Sequence, residues 1–346
     1  MLILAVAALV VALLAGLQTE PGRTALAAVI NHFGASPTSG FRVSGIRIGW
    51  GLDASLEKFA LTDSQGDWLS VSNASLAWKP SELLHGVVFV RAIDVGEVEV
   101  YRKPAPVPSE PVEQVSSQSG GIWVPPLQID ALEVERIVLA EPVVGAPLRF
   151  TAAGNARTAK GLKEILAKLD VKRTDNADGN LSVNVRFQPD LEALDFSLVL
   201  HEGRGGLTAR LLDIENLPAV DFDLKGAGPL DNWRADLALS LDGERTVSGT
   251  ATLSQNSAGR RLVADLDGNF EALSPPELYA FLLGRTDIAL DARFSSEFAP
   301  LSGTLSAKTG TVDLKASGEH VPESGRIEAV GNLTVSAGDG ALIGVE

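Results

Sequence analysis

The chain is 346 residues long and carries 29 Lys and Arg against 44 Asp and Glu, with no cysteine. A formal net charge of −15 opposes binding to nucleic-acid phosphates, and the missing thiols exclude disulfide scaffolds, thiolate metal sites and cysteine nucleophiles. Hydrophobic residues make up 45% and aromatics 5%, with 34 glycines, so the chain is aliphatic and punctuated by turns.

Residues 2–17 contain no polar side chain. As a helix they span about 24 Å, a little under the ~30 Å hydrocarbon core of a bilayer. The sequence predicts a transmembrane signal-anchor over residues 1–18, lined by Leu2, Ile3, Leu4, Val6, Leu9, Val10, Val11, Leu13, Leu14 and Leu17. A cleaved signal peptide or a buried helix is the competing reading. No Lys or Arg precedes the apolar run, although such charges normally set orientation, so the true start is expected upstream. Residues 19–35 read as a juxtamembrane helix, with Pro21 near its start and Gly34 past its end.

From residue 36 the pattern changes to period two. Ile46, Ile48, Trp50 and Leu52 alternate with polar residues or glycine. Leu69 and Val71, then Ala74, Leu76 and Trp78, then Val95, Val98 and Val100 continue the first β unit, which covers residues 36–103. Residues 79–84 predict one helical turn inside it. Residues 104–121, rich in Pro, Ser and Gly, read as a linker or long loop.

Alternation then resumes over residues 122–346. The apolar set is Leu181, Val183, Val185 and Phe187; Leu194, Phe196, Leu198 and Leu200; Val220, Phe222 and Leu224; Leu237, Leu239 and Leu241; Ile288, Leu290 and Phe294; and Val312 and Leu314. Each such run predicts a strand with one dry and one wet face. Turns are expected at Asp178-Gly179, Asp242-Gly243, Ala258-Gly259, Asp267-Gly268 and Ser317-Gly318. Residues 161–169 read as a short helix with Leu162, Ile165, Leu166 and Leu169 on one face, and Pro275-Pro276 opens a second helical interruption. Too few helices alternate with strands for a parallel α/β sheet. An ordinary β-sandwich explains the alternation equally well. The continuous strand series, the scarcity of large aromatics and the pattern still running at Val335 favour an elongated antiparallel sheet that need not close.

No catalytic constellation emerges. His32, His85, His201 and His320 stand singly, Gly203-Arg204-Gly205-Gly206 lacks the lysine of a phosphate loop, and Asp221 and Asp223 fall on the wet side of a strand. The reading is a non-enzyme without cofactor or metal.

The runs 41–48, 56–71, 74–86 and 93–102, with Val124 to Val134, Gly205 to Leu212, Gly226 to Ala235 and Leu273 to Leu278, together resemble AsmA-like proteins. They resemble most closely the translocation and assembly module subunit TamB family. The resemblance covers nearly the whole chain but not that family's carboxy-terminal domain, so an amino-terminal portion is expected. It implies an elongated, curved, taco-like β-groove with a hydrophobic interior, preceded by one transmembrane helix in the inner membrane, its body in the periplasm of a diderm bacterium. The implied function is carriage of phospholipid acyl chains between inner and outer membranes, the groove being lined by Ile46, Ile48 and the apolar set above. The alternative is a scaffold that works with an outer-membrane barrel partner, TamA, in outer-membrane protein insertion and autotransporter secretion by strand augmentation. Burying a sixteen-carbon chain at roughly 0.8 kcal/mol per methylene offers on the order of 12 kcal/mol before ordering costs.

Overall fold

The computed structural model describes residues 39–49, 51–105, 126–158, 163–175, 177–257, 259–274, 276–296, 298–321 and 326–335, with Thr19, Glu20, Thr24 and Ala28 before them. The expected anchor, most of the juxtamembrane helix and residues 106–125 lie outside this set. Among the described residues no helix is long and apolar enough to cross a membrane.

Among the described residues the fold is all-β, with eighteen strands and only short helical turns between them. It forms two compact units. One holds the described residues of Met1–Leu162 with Leu169–Asp175, and the other Lys163–Lys168 with the described residues of Asn176–Glu346. The division falls within β8 (Ile165–Arg173) rather than at residues 104–121.

The first unit contains β1 (Ser39–Ser44), β2 (Arg47–Ile48), β3 (Ala54–Asp63), β4 (Gly66–Trp78), β5 (Val88–Val100), β6 (Leu127–Leu139) and β7 (Leu148–Thr158). β3 and β4 form a hairpin because Asp63 Oδ1 accepts from the Gln65 N–H and Gly66 takes φ 101°. The expected helical turn is present as a 3-10 turn over Pro80–His85, ended by Gly86 in the left-handed region at φ 73°. The expectation of an unbroken antiparallel series fails at one place: β5 and β6 pair in parallel, Val88 opposite Leu127 and Val100 opposite Leu139. Parallel neighbours need a long crossover, and the Pro/Ser/Gly-rich stretch lies in that connection.

Asn73 explains why the apolar positions of β4 step by three between Val71 and Ala74. It adopts φ 55°, a conformation that asparagine tolerates, and stands outside the register between Ser72↔Glu97 and Ala74↔Val95. Gly96 stands opposite it on β5, where a Cβ would lie 3.1 Å from the Asn73 Cβ, so β4 gains no residue on its neighbour and the change of phase comes from the left-handed backbone at Asn73 itself.

The second unit contains β9 (Gly179–Gln188), β10 (Ala193–Glu202), β11 (Val220–Ala227), β12 (Asn232–Leu241), β13 (Glu244–Asn256), β14 (Gly259–Gly268), β15 (Thr286–Phe294), β16 (Pro300–Lys308), β17 (Val312–Val321) and β18 (Arg326–Val335). Each pairs antiparallel with the next. Asp242 and Gly243, at φ 50° and 84°, make the expected two-residue turn between β12 and β13.

Two local expectations are corrected. Residues 165–169 belong to strand β8, not to a helix. Four apolar residues fit either template, but Ala167, Leu169 and Val171 alternate with Lys168, Asp170 and Lys172, and the segment is extended, with the Thr174 N–H donating to the Arg149 carbonyl just past its end. Ser317-Gly318 lies inside β17 rather than in a turn. Gly318 is accommodated because its cross-strand neighbours are the small residues Gly303 and Ala329.

Candidate binding face

In the first unit the register lines up aliphatic and aromatic side chains from strand to strand. One row runs Phe41, Leu61, Leu69, Val100, Leu139, Leu148, and the next Val43, Phe59, Val71, Val98, Ile137, Phe150. Below them run Ala74, Val95, Val134, Ala152 and Ala54, Leu76, Ile93, Leu132, Gly154. Ile48 pairs with Ala54 and joins the last row, whereas Ile46 falls in the break between β1 and β2. Trp50 lies outside the described residues.

The second unit repeats the arrangement. Val183, Leu198, Leu224, Leu237, Gly249, Leu266, Ile288, Ala307, Leu314 and Leu333 form one uninterrupted row across all ten strands. Val185, Phe196, Gly226, Ala235, Ala251, Ala264, Leu290, Leu305, Ala316 and Gly331 form the adjacent row. Leu181, Leu200, Phe222, Leu239 and Val247 make a third, beside Val220 opposite Leu241. Phe187 pairs with Leu194, Phe294 opposes Arg260, and Val312 opposes Val335. Within β9–β18 the apolar positions expected from alternation therefore fall on one face.

That face is incompletely covered. Most row members are half-buried, and Leu305 and Leu333 are 38% and 64% exposed. Full burial is local. In the second unit Ala209, Ile214 and Val220 form a small core with Leu200, Leu217, Leu239, Leu241 and Leu273 packed on it. This closes one end of the face, where the connection 203–219 folds back. The buried carboxylate of Glu202 holds that connection by accepting from the Leu207 and Thr208 N–H groups at 3.1 and 2.8 Å. In the first unit Leu148 and Phe150 are buried beside the helical turn Glu141–Val144.

The opposite end of the second unit's face is bridged by side chains. Trp233 of β12 crosses β11 to donate its indole N–H to the Leu194 carbonyl of β10 at 2.8 Å. Arg260 of β14 donates to Glu192, just before β10, at 2.7 Å. β10 and β14 are four ladder steps apart, about 19 Å along a flat sheet, which is further than these side chains reach. The sheet of this unit therefore curves toward its aliphatic side.

The other face carries charge. Asp223 pairs with Lys225 at 2.6 Å, Arg234 with Asp236 at 3.1 Å, and His201 with Asp221 at 2.5 Å. Arg261 grips Asp291 through two bonds of 2.9 and 2.5 Å, holding that carboxyl below its ordinary range. Apart from this face, at the turn between β3 and β4 of the first unit, the Asp63 carboxylate, 5% exposed, accepts from Arg102 at 2.8 and 2.5 Å and from the Ala105 N–H at 2.7 Å. The Arg102 bonds, then the backbone bond, hold the Asp63 carboxyl far below the usual carboxylate range. Among the described residues no group of three or more His, Asp or Glu is placed to hold a metal ion.

The expected anchor residues lie outside the described set. Alternation missed the small residues that complete the rows, such as Ala235, Ala251 and Ala264, and it missed Arg260. No family model, curated protein or solved structure matches this chain. Fold and face together define an all-β protein whose sheets present rows of half-exposed aliphatic side chains.

Proposed function

We propose that the chain carries acyl chains of phospholipid along a hydrophobic β-groove, as an inner-membrane-anchored periplasmic protein of the AsmA-like, TamB-related kind. The observation that supports this reading most is the ten-strand row from Val183 to Leu333, aliphatic or glycine at every position and largely unsealed. Such a row offers apolar contact with little shape specificity, and contact of that kind suits cargo that must move. Curvature toward the aliphatic side, with charges on the other face, keeps the cargo dry and the exterior solvated.

The experiment is lipid extraction and mass spectrometry of the purified full chain beside Val183→Asp and Leu198→Asp. The reading expects co-purified phospholipid in the parent and its loss in both variants. A lipid-free parent contradicts it.

Strand augmentation is the second reading, favoured by β18. Among the described residues this strand pairs only with β17, and Leu333 and Val335 on its aliphatic side are 64% and 41% exposed. Sensitivity to proline in β18, with lipid content unchanged, would favour it.

A further inference from the structure

We propose that Arg260 is a headgroup anchor: it binds the phosphate of an anionic amphiphile whose acyl chain lies along the aliphatic rows beginning at Leu262 and Leu253. The proposal rests on the lipid-carrying reading and adds to it a class of cargo and a position for the charged end.

Register puts Arg260 on the aliphatic side, two residues before Leu262, opposite Phe294 on β15 and Gln255 on β13. Its side chain is 7% exposed. Nη2 donates to Glu192 at 2.7 Å and Nε to the Ser296 carbonyl at 3.2 Å, while Nη1 is buried with no hydrogen-bond partner. A guanidinium with an unused N–H at the end of an apolar surface is matched to a phosphate, which accepts from two nitrogens at once. Its present carboxylate partner is reached from solvent, since Glu192 is 55% exposed on the turn between β9 and β10, and an incoming phosphate would take over the charge pairing that Glu192 gives up. Phe298 stacks on the guanidinium, 4.3 Å from ring centroid to Cζ, and is itself 48% exposed. Lifting Phe298 and swinging Glu192 outward opens Nη1 and Nη2 together.

The test uses the full chain in a non-ionic amphipol, titrated with dihexanoyl phosphatidic acid, with uncharged dihexanoylglycerol and with inorganic phosphate. The phosphatidate is expected to bind about tenfold more tightly than the diglyceride, the scale of one charge-assisted bidentate contact. Arg260→Gln should remove that preference, so that phosphatidate and diglyceride bind the variant alike. Glu192→Gln should tighten phosphatidate binding, whereas a purely structural latch would weaken with the loss of its carboxylate. That variant carries the test if Arg260→Gln does not fold. Equal binding of both amphiphiles overturns the anchor and leaves the lipid-carrying reading standing. Binding of neither overturns both. Inorganic phosphate binding as tightly as the phosphatidate overturns the amphiphile assignment in favour of a free-anion site.

Discussion

Trp233 lies flat across Gly226. A Cβ at Gly226 would stand 2.1 Å from Trp233 Cζ2, and the indole N–H passes over β11 to the Leu194 carbonyl. The glycine is required here by the space above it, since its φ lies outside the left-handed region. The crossing ties β10, β11 and β12 together at the end of the aliphatic face where Arg260 and Glu192 meet.

Gly226→Val should therefore displace the indole and break its bond to Leu194, costing about 1–3 kcal/mol as an overpacking substitution. Urea unfolding measures the loss. Adding Trp233→Ala to Gly226→Val should recover part of it, because the clash then has no partner.

Burial differs sharply along the rows, and truncations should report it. Leu148 is 1% exposed, so Leu148→Ala should cost about 2–5 kcal/mol. Leu198 is half-buried on the open face, and Leu198→Ala should cost about 1 kcal/mol or less, because little apolar surface returns to water. Equal costs would mean that the face is sealed like an ordinary core.

Acid should weaken the first unit through Asp63. A carboxyl whose folded pKa is depressed contributes fully above its unfolded value, about 3.9, and that contribution is lost as pH falls toward the folded value. Asp63 is depressed chiefly by its hydrogen bonds from Arg102. Thermal unfolding from pH 7 down to pH 2 should show a falling stability limb below about pH 4. Asp63→Asn should be less stable at pH 7 and show a flatter limb.

Strand content and the apolar face of β9–β12 were legible because Leu, Val and Phe alternate there with Asp, Ser and Lys. Legibility failed where side chains are small. In β13 the face is Val247, Gly249, Ala251 and Leu253 among serines and threonines, so contrast between faces is low although the register is complete. The parallel β5–β6 pair was hidden because Val and Ile alternate identically in either strand direction. Arg260 stood in an alternating run with Leu262, Ala264 and Leu266, so its side of the sheet could have been read from spacing. Its partner Glu192 lies 68 residues earlier, a separation that only the fold closes.

The central claim is that the aliphatic face contacts acyl chains, and photocrosslinking in cells tests it most directly. A benzophenone side chain placed at Val183 or Leu237 on the aliphatic face, or at Asp195 or Asp236 on the charged face, reports its neighbour on irradiation. The account predicts phospholipid adducts at Val183 and Leu237 and none at Asp195 or Asp236. Adducts equally frequent on both faces, or protein adducts alone at Val183 and Leu237, would contradict it.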